Sequence, residues 1–290
     1  MRSLLFTPGD SDRKLAKGLT SDADVILIDL EDAVAGNAKE AARKNVAEFL
    51  SQQTDRTGSP PLYVRINDME TRWARDDIEA MVPARPAGIM LPKARAQADV
   101  DTLSAILDEL EPKAGVDKGS ISIIVIAPEI PDAILNMASF QECGPRVTGI
   151  TWGSEDLAAS LGSQSSRDGN GAYRNPMELA RTLCLCAGSV AGIHAIDTVY
   201  PDFRDLDGLK LSAELGAADG FSGKMAIHPD QVPIINAAFT PSDEEIAHAG
   251  KIVAAFETEP DAGVINLDGS MIDRPHLVNA QKLLARAGKA

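Results

Sequence analysis

Ile121-Ser122-Ile123-Ile124-Val125-Ile126-Ala127-Pro128-Glu129 is an almost unbroken apolar run that stops at a carboxylate. Val147-Thr148-Gly149-Ile150-Thr151-Trp152-Gly153-Ser154-Glu155-Asp156 repeats the form. A short strand that is apolar on both faces belongs to a sheet covered on both sides, as parallel sheets are. Strands that each hand a polar group to one rim are how a barrel enzyme assembles its site. Working outward, the same kind of run recurs at 3–6, 25–30, 62–66, 88–91, 192–197 and 220–226, which with 121–127 and 147–152 makes eight.

Helical periodicity fills the intervals. Asp10 or Ser11 caps a helix running to about residue 20, and Asn37 opens one over 38–51 with Ala42, Val46, Phe49 and Leu50 on one face. A third spans 98–111 on Val100, Leu103, Ile106, Leu107 and Leu110. Asn175-Pro176 reads as an N-cap followed by proline at the first helical position. Ser242-Asp243-Glu244-Glu245 reads as a capping box for a helix ending near 256. Gln53 to Pro61 is polar loop. Strand–helix alternation of this length predicts an α/β protein, a (β/α)8 TIM barrel over 1–256. No G-x-G-x-x-G follows a strand, which weakens a dinucleotide-binding fold. Residues 257–290 depart from the pattern. Pro260 and Gly263 break the chain, an apolar run covers 264–267, Asp268-Gly269 turns, and a last helix starts near 274. This segment reads as a short C-terminal lid.

Bulk properties narrow the function. The 290 residues are 44% hydrophobic, enough for a sizeable core, and the formal charge of -15 opposes a nucleic-acid or membrane-surface partner. No run is long enough to span a bilayer. The N-terminal apolar run is too short for a secretory signal, so the expected location is the cytoplasm. Three cysteines fit a reducing compartment, and all three read as small buried hydrophobes.

The predicted strand ends carry the chemistry. They present Asp29, Glu31 and Asp32, Arg65, Lys93, Glu129, Glu155 and Asp156, Asp197, and Lys224 with His228. If the fifth and sixth strands are neighbours, about 4.8 Å apart, Glu129 and Asp156 reach one ion. Hard oxygen ligands favour Mg²⁺ or Mn²⁺ and leave room for a chelating keto or hydroxy acid. Acidic caps on the following helices are the alternative. Arg65 suits a carboxylate or an enolate oxygen, and equally a salt bridge to Asp29, Glu31 or Asp32. Arg13 and Lys17, four apart, share a helix face that meets phosphates or water. His228 sits just past the last strand; His194, His248 and His276 read as incidental. Asp273 has an N-cap context and nothing local that makes it catalytic.

Arg2-Ser3-Leu4-Leu5-Phe6-Thr7-Pro8-Gly9, Ile28-Asp29-Leu30-Glu31-Asp32-Ala33-Val34, Val64-Arg65-Ile66-Asn67, Leu91-Pro92-Lys93 and Ala226-Ile227-His228-Pro229 together resemble the citrate lyase β-subunit/malyl-CoA lyase family. This is the acyl-CoA branch of the HpcH/HpaI aldolase superfamily. The resemblance runs from residue 1 to about 285. It implies a barrel with Mg²⁺ on Glu129 and Asp156, and Arg65 on the substrate and enolate. It also implies acyl-CoA contacts from Phe6, Arg13, Lys17, Ile227 and His228. Gly269-Ser270-Met271-Ile272-Asp273 matches a lid motif whose Asp serves a neighbouring subunit's site. That implies a homo-oligomer, a trimer or hexamer by the family's habit. The implied reaction is reversible cleavage of a malyl-CoA or citramalyl-CoA type 3-hydroxyacyl-CoA to acetyl-CoA and an α-keto acid. A citrate lyase β-subunit acting on a carrier-bound thioester, a free-acid aldolase and a non-catalytic acyl-CoA-binding protein are the alternatives. Glu129 is followed by Ile130-Pro131, where many relatives have Glu-Thr or Glu-Ser, which alters the loop beside the metal.

Overall fold

In the computed structural model, which describes residues 1–53 and 57–289, all eight apolar runs are strands. They are β1 (Ser3–Pro8), β2 (Val25–Asp29), β3 (Leu62–Arg65), β4 (Gly88–Leu91), β5 (Ser122–Ile126), β6 (Val147–Thr151), β7 (His194–Asp197) and β8 (Gly223–Ala226). Each pairs in parallel with the next, and β8 returns to β1, so the sheet closes into the expected barrel. Helices follow the strands: α1 (Asp12–Leu19), α2 (Lys39–Gln52), α3 (Ala74–Ala84), α4 (Gln97–Lys113), α5 (Pro131–Asn136), α6 (Ser154–Ser160), α7 (Asn175–Ala191) and α8 (Leu206–Asp219). Of the loop expected after α2, residues 54–56 lie outside the described residues.

Strand alternation sorts side chains between the barrel interior and the helix layer. Leu4, Val25, Leu27, Tyr63, Met90, Ile124, Ile126, Ile196 and Met225 form the inner cluster. On β6 the inner positions are Gly149 and Thr151, which pair in register with Ile124 and Ile126. Gly149 leaves room for Ile196: a Cβ there would lie 3.0 Å from its Cδ1. The parity corrects one expectation. Asp197 and Lys224 neighbour inner residues along their strands, so both face the helices and not the rim. Lys224 Nζ, fully buried, pairs with Asp197 Oδ2 at 2.9 Å, and Trp152 Nε1 donates to Asp197 Oδ1 at 2.9 Å. They form a structural pair behind the sheet, because burial leaves neither charge exposed to solvent and each needs the other.

Two local expectations also change. Arg174, in extended conformation, is the N-cap of α7, and Asn175 is already helical. Cys143 and Cys184 are buried, but Cys186 is exposed on α7.

Two compact units make up the chain, Met1–Asn236 and Ala237–Ala290. α9 (Val232–Ala238) runs across that division. The second unit contains α10 (Asp243–Thr258), the antiparallel hairpin β9 (Val264–Leu267) and β10 (Ser270–Asp273), and α11 (Arg274–Arg286). The capping box at Ser242 forms as expected, with Glu245 as its partner. The hairpin turns on Asp268 and Gly269, whose φ of 52° and 85° match the positive values of a type I′ turn. Ala249, Ile252, Phe256, Ile272 and Ala280 form the unit's own core. No helix of the described residues is long and apolar enough to cross a membrane.

Gly88 tests the packing of the barrel. A Cβ there would lie 2.2 Å from the Tyr63 ring and 2.7 Å from the Ser122 carbonyl, which is backbone and cannot swing aside. Gly88→Ala is expected to lower stability by about 2 kcal/mol in urea unfolding, the usual cost of overpacking a filled core.

Candidate active site

Register builds the first part of the site. Asp29 and Arg65 are direct cross-strand partners at the ends of β2 and β3. Their side chains meet twice, Arg65 Nε to Asp29 Oδ1 at 2.8 Å and Nη2 to Oδ2 at 2.7 Å. Nη1 also faces Glu31 Oε2 at 2.9 Å and Asp32 Oδ2 at 3.4 Å. The guanidinium carbon lies 4.7 Å from the centre of the Phe6 ring. Arg65 therefore makes the salt bridges that were its structural alternative, and they fix its plane at the barrel mouth. Burial pushes the Asp29 carboxyl up, but the Arg65 charge and hydrogen bonds outweigh it and hold the group below its usual range.

The turn after β2 is braced from behind. Asp29 accepts the N–H groups of Glu31 and Ala33. Lys39, buried, donates to the carbonyls of Leu30 and Glu31 at 2.8 and 2.6 Å. Asn67 donates to the Leu30 carbonyl and is itself held by Asp77. These bonds fix the backbone from which the Glu31 side chain projects.

Lys93 joins the two halves of the site. It follows β4 with a left-handed φ of 51°, uncommon for a residue with a side chain. Its backbone N–H donates to Glu129 Oε1 in a short hydrogen bond. Its ammonium lies 2.5 Å from Glu31 Oε1, 3.5 Å from Asp156 Oδ1 and 3.9 Å from Asp32 Oδ1. Burial opposes the charge on Lys93, but Glu31, Glu129 and Asp156 outweigh it and raise its pKa.

Glu129 and Asp156 are not helix caps. α5 starts at Pro131 with Ile130 as N-cap, and α6 has Gly153 as N-cap with Asp156 inside its first turn. Glu129 is buried, and a Cβ on Gly153 would lie 2.8 Å from its Oε2, so glycine is what admits the carboxylate. Burial pushes the Glu129 carboxyl up to about 8, with Asp156 and Glu31 adding to the shift. Glu31 rises to about 7, chiefly by burial. Two cations, Lys93 and Arg65, thus face five carboxylates, Asp29, Glu31, Asp32, Glu129 and Asp156, and the rim holds negative charge that a divalent cation would relieve. Among the described residues no three His, Cys, Asp or Glu side chains form a complete metal cage. Glu129 and Asp156 offer carboxylate oxygens, donors that suit a hard cation which keeps water or substrate. Thr151 Oγ1, buried on the inner face of β6, has no hydrogen-bond partner among the described residues.

A cavity of about 450 Å³ opens between the ends of β1 and β8 and the start of α1. Phe6, Arg13, Lys17, Ile227 and His228, dispersed in sequence, all line it, and Lys14 adds a third cation that the sequence reading did not single out. Phe203 stacks on the His228 ring at 5.1 Å.

A family model described as HpcH/HpaI aldolase/citrate lyase matches residues 2–229. The chain belongs to the HpcH/HpaI aldolase/citrate lyase family. Within that family it is 37% identical over 288 residues to the (3S)-malyl-CoA thioesterase of Cereibacter sphaeroides, covering 99% of this chain and 94% of that one. It is 33% identical to the mitochondrial citramalyl-CoA lyase of Rattus norvegicus, covering 99% and 86%. The solved structure of CitE from Mycobacterium tuberculosis, in complex with magnesium, acetoacetate and coenzyme A, superposes with a TM-score of 0.80. That match has 33% identity and covers 99% of this chain and 98% of that one.

Asp273 belongs to the second unit. It ends β10 and stands as the N-cap of α11, half exposed. Its carboxylate touches His276 Nδ1, so His276 is not incidental. The i, i+3 spacing before a predicted helix was the available signal.

Asp29→Asn should leave the buried Arg65 short of its main partner and cost about 3 kcal/mol in urea unfolding at pH 7. The Asp29 pKa is depressed by folding, so its contribution is present above the unfolded pKa and lost as pH falls through the folded one. The gap between wild type and variant is therefore expected to shrink below about pH 4.

Proposed function

We propose that this chain is a metal-dependent carbon–carbon lyase. It would cleave a 3-hydroxyacyl-CoA of the malyl-CoA or citramalyl-CoA type reversibly to acetyl-CoA and an α-keto acid. The observation that carries the reading is the convergence of Glu129, Asp156 and Arg65 about Lys93 and Glu31 at one rim of the barrel. The cation-lined cavity in the same unit supports it.

Glu129 and Asp156 would hold Mg²⁺, or Mn²⁺ in its place, which when bound supplies a Lewis acid for the substrate's carboxylate and hydroxyl oxygens. Phe6, Arg13, Lys17, Ile227 and His228 would bind the CoA portion, with Lys14 beside them. Asp273 is the general base. The second unit acts as a lid over a neighbouring subunit's barrel, so a homo-oligomer is required. Asp273 takes the hydroxyl proton, the C–C bond breaks toward the thioester, and its electron pair becomes the acetyl-CoA enolate. Arg65, held in plane by Asp29, stabilises the enolate oxygen. Asp273 then returns the proton to the enolate carbon; in the synthetic direction it removes it from the methyl group. Closure of the lid excludes water from the enolate.

Thioester hydrolysis is the second reading, favoured by the likeness to the Cereibacter thioesterase. The two reactions leave different products. Incubation with Mg²⁺ and malyl-, citramalyl-, 3-methylmalyl- and citryl-CoA, followed by mass spectrometry, should yield an α-keto acid and a shortened acyl-CoA from at least one thioester. Free hydroxy acid with CoA would establish hydrolysis instead. Asp273→Asn should lower kcat for cleavage by roughly 10²- to 10⁴-fold; a wild-type rate would remove Asp273 from the mechanism.

A further inference from the structure

We propose that His276 is the positioning residue of the Asp273 base, holding its carboxylate in one orientation at the start of α11. The inference rests on the reading of Asp273 given above.

The local fold brings the two together. β10 ends at Asp273 in extended backbone, φ -117° and ψ -178°, and α11 begins at the next residue with Pro275 in its first turn. His276 is then one turn along, on the same side of the helix as the cap. Its Nδ1 sits against Asp273 Oδ1 in a short contact, and the Asp273 backbone N–H lies 3.3 Å from the same nitrogen. The carboxylate also accepts the His276 backbone N–H as the cap of α11, and the ring adds a second contact at Oδ1 that sets which lone pair is left to act; a base is effective only when its lone pair is aimed.

The surroundings leave this work to His276. Arg274 turns away, its guanidinium on the Pro260 carbonyl and 5.2 Å from the Phe256 ring. On α10, Lys251 pairs with Asp268 at 3.6 Å, and Glu245 interacts with Arg286 of α11. β9 carries no titratable side chain. His248 on α10 and Lys282 on α11 make no ion pair with Asp273, whose partner at that distance among the described residues is His276. Both side chains are about half exposed, so the pair is open to a ligand rather than sealed in a core. The His276 hydrogen bond also keeps the Asp273 carboxyl below its usual range, so the contact is felt by the ionised carboxylate. A helix cap alone would be served as well by Glu or Gln at this position.

The test compares His276→Leu, His276→Asn and Asp273→Asn in the full-length protein. Asn places an amide nitrogen near the position of Nδ1, so it keeps the contact without the ring. His276→Leu is expected to lose kcat by on the order of 10²-fold, with KM little changed and the acid limb of the kcat profile moved to higher pH. His276→Asn should recover most of the lost kcat. Carbon-detected NMR of the Asp273 carboxyl, which needs no turnover, should show it titrating at higher pH in His276→Leu than in wild type. An unchanged Asp273 titration, or wild-type kcat in His276→Leu, overturns the proposal. So does an equal loss in both His276 variants with KM rising in step. Full activity in Asp273→Asn removes the base reading itself. An inactive Asp273→Asn beside an unaffected His276→Leu removes only this inference.

Discussion

Lys93 is the constraint on which the barrel rim depends. Its left-handed backbone turns the N–H toward Glu129 while the side chain reaches Glu31 and Asp156. One residue thereby holds carboxylates from the ends of three different strands. A φ of 51° at a lysine costs on the order of 1–3 kcal/mol, and local strain of this kind persists only where its surroundings enforce it. Here the enforcing groups are carboxylates in a buried setting. They need cations, and Lys93 and Arg65, the latter shared by Asp29, Glu31 and Asp32, do not neutralise them all. The shortfall is physical: Glu129 is held near 8 by burial and by its negative neighbours. A site with that imbalance favours a divalent ion.

The rest of the rim follows from register. Because Asp29 and Arg65 are paired across adjacent strands, the guanidinium plane is set by the sheet and not by a mobile loop. Lys39 and Asn67 brace the turn that carries Glu31. The cavity beside the first and last strands depends on barrel closure, since β1 supplies Phe6 and the segment after β8 supplies Ile227 and His228. A barrel of parallel strands is what brings the two ends of the sequence to one mouth.

The apolar runs made the eight strands and their order legible, since a doubly covered strand has little freedom to be anything else. Glu129, Asp156 and Arg65 were legible as strand-end residues, and the cavity residues through family resemblance. What was not legible depended on parity or on backbone angle. Asp197 and Lys224 end or occupy strands like the others, yet one residue of alternation turns them outward. Nothing in Leu91-Pro92-Lys93 announces the positive φ of Lys93. Cys186 shares a helix with buried Cys184 and falls on the opposite side. His276 carries no metal-ligand spacing, and its pairing with Asp273 comes from the i, i+3 geometry at the start of α11.

The most direct test of the central claim is calorimetric titration of Mg²⁺ into wild type, Glu129→Gln and Asp156→Asn, with far-UV circular dichroism to verify folding. The account predicts one site per chain in wild type and its loss in both folded variants. Undiminished Mg²⁺ binding in either variant would contradict it.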